Sequence, residues 1–474
     1  MIYMKKTILF LIGLIVALGA EAKIKYVFYF IGDGMGTNQV LAAEMYRAEL
    51  AGGIGRVPTC MSQFPVSGQI STYSASNGIT DSSAAGTCLA TGKKTNNGTL
   101  GLGPKGDTLR TIAEQLKQEG WSIGIMTSVA IDHATPGAFY GHDENRNHYY
   151  EIGQQLIRSG FDFFGGAGFH YPQGKENDKA QNLYDLAARA GYSIVRTYDD
   201  AQRHLKDSLM IMIQPGDTGK VHSDCIGYAI DRHTENATLK QIVSTAIPFL
   251  ERKQKPFFMM VEGGMIDYAC HGDDGRTAID EVWAMDEALE VAYRFYLRHP
   301  DETLIVVTAD HETGGMALGN SDYTLNLQVL QHQQCSSWVL SDKFTQLFEQ
   351  ETPTWEQVQQ IWREQLGFWG AVSITEDEEA ELRAAYDKAA RREGEDTKTM
   401  YKNINQLGSL GIDILNRKAK LGWTSRAHTG HAVPVFAVGV GEELFTGWHD
   451  NTQMVPLILE AIQQSAAKRQ KCRR

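Results

Sequence analysis

The stretch Lys25-Tyr26-Val27-Phe28-Tyr29-Phe30-Ile31-Gly32-Asp33-Gly34-Met35-Gly36 sets an apolar, aromatic-rich run directly against a glycine-rich turn that carries one carboxylate. An apolar run of that length, bounded by a turn, reads as a strand buried on both faces. Three more runs have the same form: Trp121 to Thr127, Pro256 to Val261 and Thr303 to Thr308. Helical patterns lie between them, among them Thr108 to Gln118 and Thr277 to Leu297. This alternation predicts an α/β fold, with a large, mostly parallel central sheet and helices on both faces. Such sheets bind ligands beyond the carboxyl ends of their strands. The polar residues after each run therefore matter most: Asp33, then Ser128 to Thr135, then Glu262 and Asp267, then Asp310 and His311.

A fifth run, Val433 to Val440, is preceded by its chemically interesting residue, His428. For His428 to reach the same edge, this strand must run antiparallel, or the loop before it must cross the edge. The chain between His311 and His428 is poor in strand patterns and rich in Glu, Gln, Lys and Arg, notably Trp355 to Gln365 and Glu376 to Gly394. A helix-rich insertion or cap is expected there, at about 320–425. Its acidic run, Glu376 to Glu381, reads as a solvated helix face.

Of the 474 residues, 42% are hydrophobic and 22% charged, which excludes wholesale disorder and fibrous structure. With 45 basic and 57 acidic residues the net charge is -12, which argues against a nucleic-acid partner. A phosphorylated substrate stays open if positive charge is concentrated in one site, as metal ions would concentrate it. At the start of the chain, Lys5 and Lys6 precede an apolar stretch from Ile8 to Leu18 and the small-x-small pattern Ala20-Glu21-Ala22. Residues 1–22 thus read as a signal peptide cut before Lys23, leaving a catalytic domain at 23–474 with a net charge of -13. The stretch is shorter than the ~20 residues of a spanning helix. An exported protein, periplasmic or secreted and without a stable membrane anchor, is expected. The six cysteines form no C-x-x-C, so buried thiols are expected rather than a metal–thiolate site, and no pairing follows from their spacing.

The glycines of Gly32-Asp33-Gly34-Met35-Gly36 do not fit a dinucleotide-binding turn, which would need glycine where Thr37 stands. Taken alone, Asp33 could simply cap the helix that follows. In Thr80-Asp81-Ser82-Ser83-Ala84-Ala85-Gly86-Thr87, Ser82 falls near a helix N-terminus, where free N–H groups favour an anion, although plain capping would explain it too. No G-x-S-x-G elbow surrounds Ser82, so a metal ion is the natural activator of its hydroxyl. Asp267 and His271 are four apart and share one face if the segment is helical. Asp310-His311 ends a strand, and His428-Thr429-Gly430 adds a third imidazole. Histidines and carboxylates without thiolates suit zinc, with hard oxygen ligands left for magnesium.

These motifs resemble those of the alkaline phosphatase family. The resemblance covers I-G-D-G-M-G, T-D-S-S-A-A-G-T, His133-Ala134-Thr135-Pro136 with Arg146, V-E-G-G-M-I-D followed by His271, T-A-D-H and H-T-G, in order from about Tyr26 to Asn451. It implies an exported hydrolase of phosphate monoesters that acts through a phosphoserine and holds two Zn2+ and one Mg2+. Ser82 would be the nucleophile, and Arg146 would bind phosphate through its planar fork. Asp33 would bridge a zinc and the magnesium; Asp310 and His311 would complete that zinc. Asp267, His271 and His428 would hold the other zinc, and Thr135 and Glu262 would join Asp33 around magnesium. Many relatives are homodimers, which the resemblance leaves open here.

The sequence departs from the family pattern in places. His133 stands beside the substrate where some members have Asp, which leaves the identity of the third ion open. Tyr268 stands where several relatives have Lys or His near phosphate. Thr313 replaces a second histidine, which removes a hydrogen bond behind the metal ligands but no ligand. Ser83 beside Ser82 is a second hydroxyl, although ungapped alignment favours Ser82. A sulfatase would carry C-x-P-x-R at the nucleophile, which is absent. The alternatives are a phosphodiesterase on the same scaffold and a non-catalytic exported phosphate- or metal-binding protein.

Overall fold

The computed structural model describes residues 23–174, 180–215, 225–231 and 235–472, so the expected signal peptide lies outside the described residues. In chain order the strands are β1 (Tyr26–Gly32), β2 (Val66–Ser71), β3 (Ser122–Thr127), β4 (Phe163–Gly165), β5 (Tyr192–Val195), β6 (Leu209–Met212), β7 (Phe257–Glu262) and β8 (Thr303–Ala309). Four two-residue strands follow: β9 (Glu312–Thr313), β10 (Ala317–Leu318), β11 (Leu421–Gly422) and β12 (His428–Thr429). The last two are β13 (Val433–Gly439) and β14 (Gly447–Asp450). Ten of them form one sheet in the order β14-β2-β13-β8-β1-β7-β3-β4-β6-β5, with helices around it.

Every residue of β3, β7 and β8 is buried, and so is all of β1 after Tyr26. A parallel sheet covered on both faces has no solvated side, which is why these strands read as unbroken apolar runs rather than alternating ones. β13 runs antiparallel to both its neighbours, β8 and β2, the first of the two arrangements that the position of His428 allows. The register decides what comes next. Ile31 pairs with Glu262 on one side and with Thr308 on the other, so β1, β7 and β8 end flush. The turns that leave these strands therefore open onto one small volume.

Two expectations are corrected. The helix expected over Thr108 to Gln118 begins only at Ile112, because Thr111 and Glu114 form a capping box that fixes its start. Asp33 does not cap the Thr37–Leu50 helix, whose N-cap is Gly36 with no side-chain bond. The described cysteines Cys60, Cys88, Cys225, Cys270 and Cys335 form no disulfide. No described helix is long and apolar enough to cross a membrane.

The chain between β10 and β11 folds into the helices Ser337–Gln350, Trp355–Leu366, Glu376–Ala390 and Gln406–Ala419. Trp355, Trp362, Trp369 and Phe344 gather between them, with ring centroids 5.3–6.3 Å apart. The Glu376–Ala390 helix buries Leu382 and starts with four acidic residues, as a mostly solvated helix should. Asp274 ties this segment to the sheet layer. Fully buried, it caps the Gly275–Arg298 helix by accepting from Thr277 N at 3.2 Å, and also accepts from Gln333 Nε2 at 2.8 Å and Ser337 N at 2.6 Å.

Replacing Asp274 with Ala would leave Thr277 N and Ser337 N without an acceptor in a dry place, and Gln333 Nε2 with the Cys335 carbonyl alone. The expected loss is about 2–4 kcal/mol of unfolding free energy, measured by urea titration. An unchanged midpoint would mean that this carboxylate does not hold the two layers together.

Candidate active site

Asp33 leaves β1 at a turn that requires glycine next to it. Gly34 has φ +73°, and a Cβ there would stand 2.9 Å from the Cα of Asp267. Its N–H donates to Asp310 Oδ1 at 3.3 Å, linking the turns after β1 and β8. Glu262 is the last residue of β7, and the Met265–His271 helix just beyond carries Asp267 and His271 one turn apart. His428 arrives by a different route: β12 pairs antiparallel with β9, setting His428 opposite Thr313. Ser82 is the first residue of the Ser82–Thr91 helix, whose N-cap Asp81 accepts from Ala84 N at 2.9 Å.

These residues form three groups with the spacing of metal ligands: Asp33, Asp310 and His311; Asp267, His271 and His428; and Asp33, His133 and Glu262. Asp33 belongs to two of them. Thr135 Oγ1 lies 3.3 Å from Asp33 Oδ2 and 3.4 Å from Asp310 Oδ2. Ser82 Oγ stands 3.1 Å from His311 Nε2, which is itself 3.3 Å from a carboxylate oxygen of Asp33 and of Asp310.

Hydrogen bonds settle which ring nitrogens face the centre. His271 Nδ1 donates to the Arg426 carbonyl at 2.6 Å, and His428 Nδ1 to the Thr80 carbonyl at 2.8 Å. Thr313 donates its hydroxyl proton to Asp267 Oδ1, which leaves its oxygen to accept from His311 Nδ1 at 3.2 Å. All three imidazoles thus turn Nε2 inward, the arrangement in which a histidine ligates a metal once that nitrogen is unprotonated. Nε2 of His271 and of His428, Oδ1 of Asp33 and Oε1 of Glu262 are buried without a hydrogen-bond partner. Divalent cations fit this donor set.

Electrostatics point the same way. Burial, then the neighbouring carboxylates, push Asp33 and Asp310 well above the usual carboxylate range. Burial raises Glu262 to about 7, although hydroxyl contacts oppose it. Asp267 alone falls well below the range: burial acts against its charge, but His271, His428 and His311 outweigh it. Burial, with His428 alongside, holds His311 well below the usual imidazole range.

Arg146 reaches the group from the other side. Its Nη1 is 3.2 Å from Asp81 Oδ2 and its Nη2 is 3.5 Å from His133 Nε2. The structure therefore brings together all eleven residues singled out from the sequence: Asp33, Ser82, His133, Thr135, Arg146, Glu262, Asp267, His271, Asp310, His311 and His428. Thr313, expected to remove a hydrogen bond behind the ligands, itself donates one to Asp267 Oδ1. The structure also adds two residues. Thr127, at the end of β3, donates to Glu262 Oε2, and Tyr401, from the helical segment, donates to Asp267 Oδ2 at 3.0 Å. Thr127 could have been suspected as the last residue of a predicted strand, whereas no sequence signal marks Tyr401.

Comparison with known proteins decides the family. The alkaline phosphatase family profile matches residues 24–464. The chain belongs to the alkaline phosphatase family. It is 31% identical over 454 residues to alkaline phosphatase 4 of Bacillus subtilis, which covers 93% of this chain and 89% of that one. The cold-active alkaline phosphatase of Shewanella sp. is 27% identical, with a TM-score of 0.77 over 92% of this chain and 99% of that one. The Thermus thermophilus alkaline phosphatase shares the fold at 24% identity, with a TM-score of 0.76 over 94% and 95%. This alkaline phosphatase is accordingly a hydrolase of phosphate esters.

The raised carboxylates carry a consequence for stability. A group whose pKa is higher in the folded chain binds more protons there than when unfolded, so it stabilises at low pH and loses that contribution as pH rises. After chelation the chain should lose stability as pH rises from about 5 through the folded Glu262 value of about 7, and added Zn2+ and Mg2+ should restore it. Melting temperatures across that range, with and without metal, check this. A chelated chain that is equally stable at both ends of the range would contradict it.

Proposed function

We propose that this alkaline phosphatase is exported and hydrolyses phosphate monoesters through a covalent phosphoserine on Ser82, releasing inorganic phosphate. The observation that carries the reading is the place of Ser82 Oγ. It sits at a helix N-terminus, 3.1 Å from His311 Nε2, between the Asp33–Asp310–His311 group and the Asp81–Arg146 pair. Export rests on the sequence pattern of residues 1–22.

The metal complement is two Zn2+ and one Mg2+. Asp310 and His311 with Asp33 would hold one zinc, and Asp267, His271 and His428 the other. Asp33, Thr135 and Glu262 would hold magnesium, with His133 beside them. When bound, these ions supply Lewis acidity that lowers the pKa of a serine hydroxyl or a water and offsets charge on the leaving oxygen.

The chain's own residues do the rest. Ser82 gives up its hydroxyl proton as Oγ attacks phosphorus in line, the bond from phosphorus to the alcohol oxygen breaks, the departing oxygen takes up a proton, and Ser82 carries the phosphoryl group. Water then attacks from the vacated side, the seryl P–O bond breaks, the serine hydroxyl regains its proton, and phosphate leaves. Arg146 offers two parallel N–H donors to the equatorial oxygens, and the first-turn N–H groups of the Ser82–Thr91 helix favour the same charge. Asp81 aims both elements, since it caps that helix and pairs with Arg146. A guanidinium attracts the doubly charged monoester group more than a singly charged diester, because the attraction scales with ligand charge.

Ser82→Ala should lose most phosphate release from monoesters while keeping its metal content, since Ser82 belongs to none of the three ligand groups. Acid quench of the unaltered chain with labelled substrate should trap label on Ser82. Label on Ser83, or full activity in Ser82→Ala, would overturn the covalent route.

A further inference from the structure

Asp267 is the one carboxylate of the centre gripped by hydroxyls from two distant parts of the chain. Thr313, in β9, donates to Oδ1, and Tyr401, from the turn before the Gln406–Ala419 helix, donates to Oδ2 at 3.0 Å. A carboxylate held at both oxygens cannot rotate about its Cβ–Cγ bond. Its remaining lone pairs then stay aimed at the volume it shares with His271 Nε2, 3.3 Å away, and His428 Nε2, 3.6 Å away.

The Tyr401 ring is placed for this task. It stacks on Tyr268, the residue next to Asp267, with centroids 3.6 Å apart and 22° between planes, and meets the His271 ring edge-on at 5.4 Å. The turn behind it is fixed as well. Thr399 accepts from Lys402 N at 3.3 Å and donates to the Lys402 carbonyl at 2.6 Å, while Lys402 Nζ pairs with Asp342 at 2.6 Å. Between a phenol and a carboxylate the phenol is the donor, so Tyr401 supplies the proton of this bond.

We infer that Tyr401 is a positioning residue for Asp267, so that metal affinity at the Asp267–His271–His428 group depends on its hydroxyl while the Asp33–Asp310–His311 group does not. This rests on the reading that both groups take a transition metal. It makes the helical segment a working part of the centre, because one of its residues holds a ligand in place.

The test uses the full chain, stripped of metal and titrated with Zn2+ and with Co2+ against a chromophoric chelator, the Co2+ spectrum being recorded at each step. Tyr401→Phe keeps the ring on Tyr268 and removes only the hydroxyl. Tyr386→Phe is the control: it removes a hydroxyl of the same segment that donates to the Pro353 carbonyl at 2.9 Å. The expected result is an affinity about 10- to 100-fold weaker at one of two sites in Tyr401→Phe, with an altered Co2+ absorption band, and wild-type behaviour in Tyr386→Phe. Metal-free melts of Tyr401→Phe should match the wild type. Unchanged affinity at both sites, equal loss at both, or a lowered metal-free melt without loss of affinity would each overturn the inference. Phosphate release run in parallel keeps the two readings apart. A wild type that binds two ions but releases no phosphate sinks the monoesterase reading and leaves this one to the titration. An active wild type with Tyr401→Phe unchanged in affinity does the reverse.

Discussion

Four carboxylates forced into one dry volume by strand register set the terms for the rest of this protein. Because β1, β7 and β8 end flush, Asp33, Glu262 and Asp310 leave the sheet side by side, and the short helix after β7 adds Asp267. Buried like charges at such distances cannot all be ionised without compensation. The fold places three imidazoles among them, each with its outer nitrogen satisfied by a carbonyl or a threonine hydroxyl; the inner nitrogens of His271 and His428 are bare, and that of His311 faces Ser82. One guanidinium, Arg146, closes the side where Ser82 stands. In a chain of net charge -12, the positive charge that a phosphate needs has to come from this spot rather than from the surface.

Much of this was legible in the sequence, for physical reasons. Strands buried on both faces carry unbroken apolar runs, so the four central strands and the polar residues at their ends could be read off directly. His428 standing before its run narrowed the fifth strand to two arrangements, a reversed strand or a loop across the edge, and the strand is reversed. The remaining strands of the sheet were illegible: β2 is half polar and lies near the sheet edge, and β4 is three residues long. The start at Ile112 was missed although Thr111 and Glu114 spell out a capping box, because the apolar pattern was followed too far back. Thr313 was read as a loss because it stands in for a longer side chain, yet its hydroxyl reaches Asp267. Tyr401 left no trace in the sequence, since its contact crosses a long segment without a motif.

That segment links the sheet layer to the metal-ligand residues. Its tryptophans give it an apolar interior of its own, and Asp274 fastens its start to the Gly275–Arg298 helix, which follows the metal-site helix directly. Tyr401 then returns from its far end to the centre. The contact between this segment and Asp267 joins the helical layer to the residues at the strand ends.

Metal cations holding the crowded carboxylates together, with one pair of them beside Ser82, would resolve the repulsion among these groups. Anomalous diffraction at the zinc absorption edge, from crystals of metal-loaded protein, tests this most directly. Two strong peaks about 4 Å apart are expected, one among Asp33, Asp310 and His311 and the other among Asp267, His271 and His428. A single peak, or none at these residues in protein that hydrolyses phosphate esters, would contradict it.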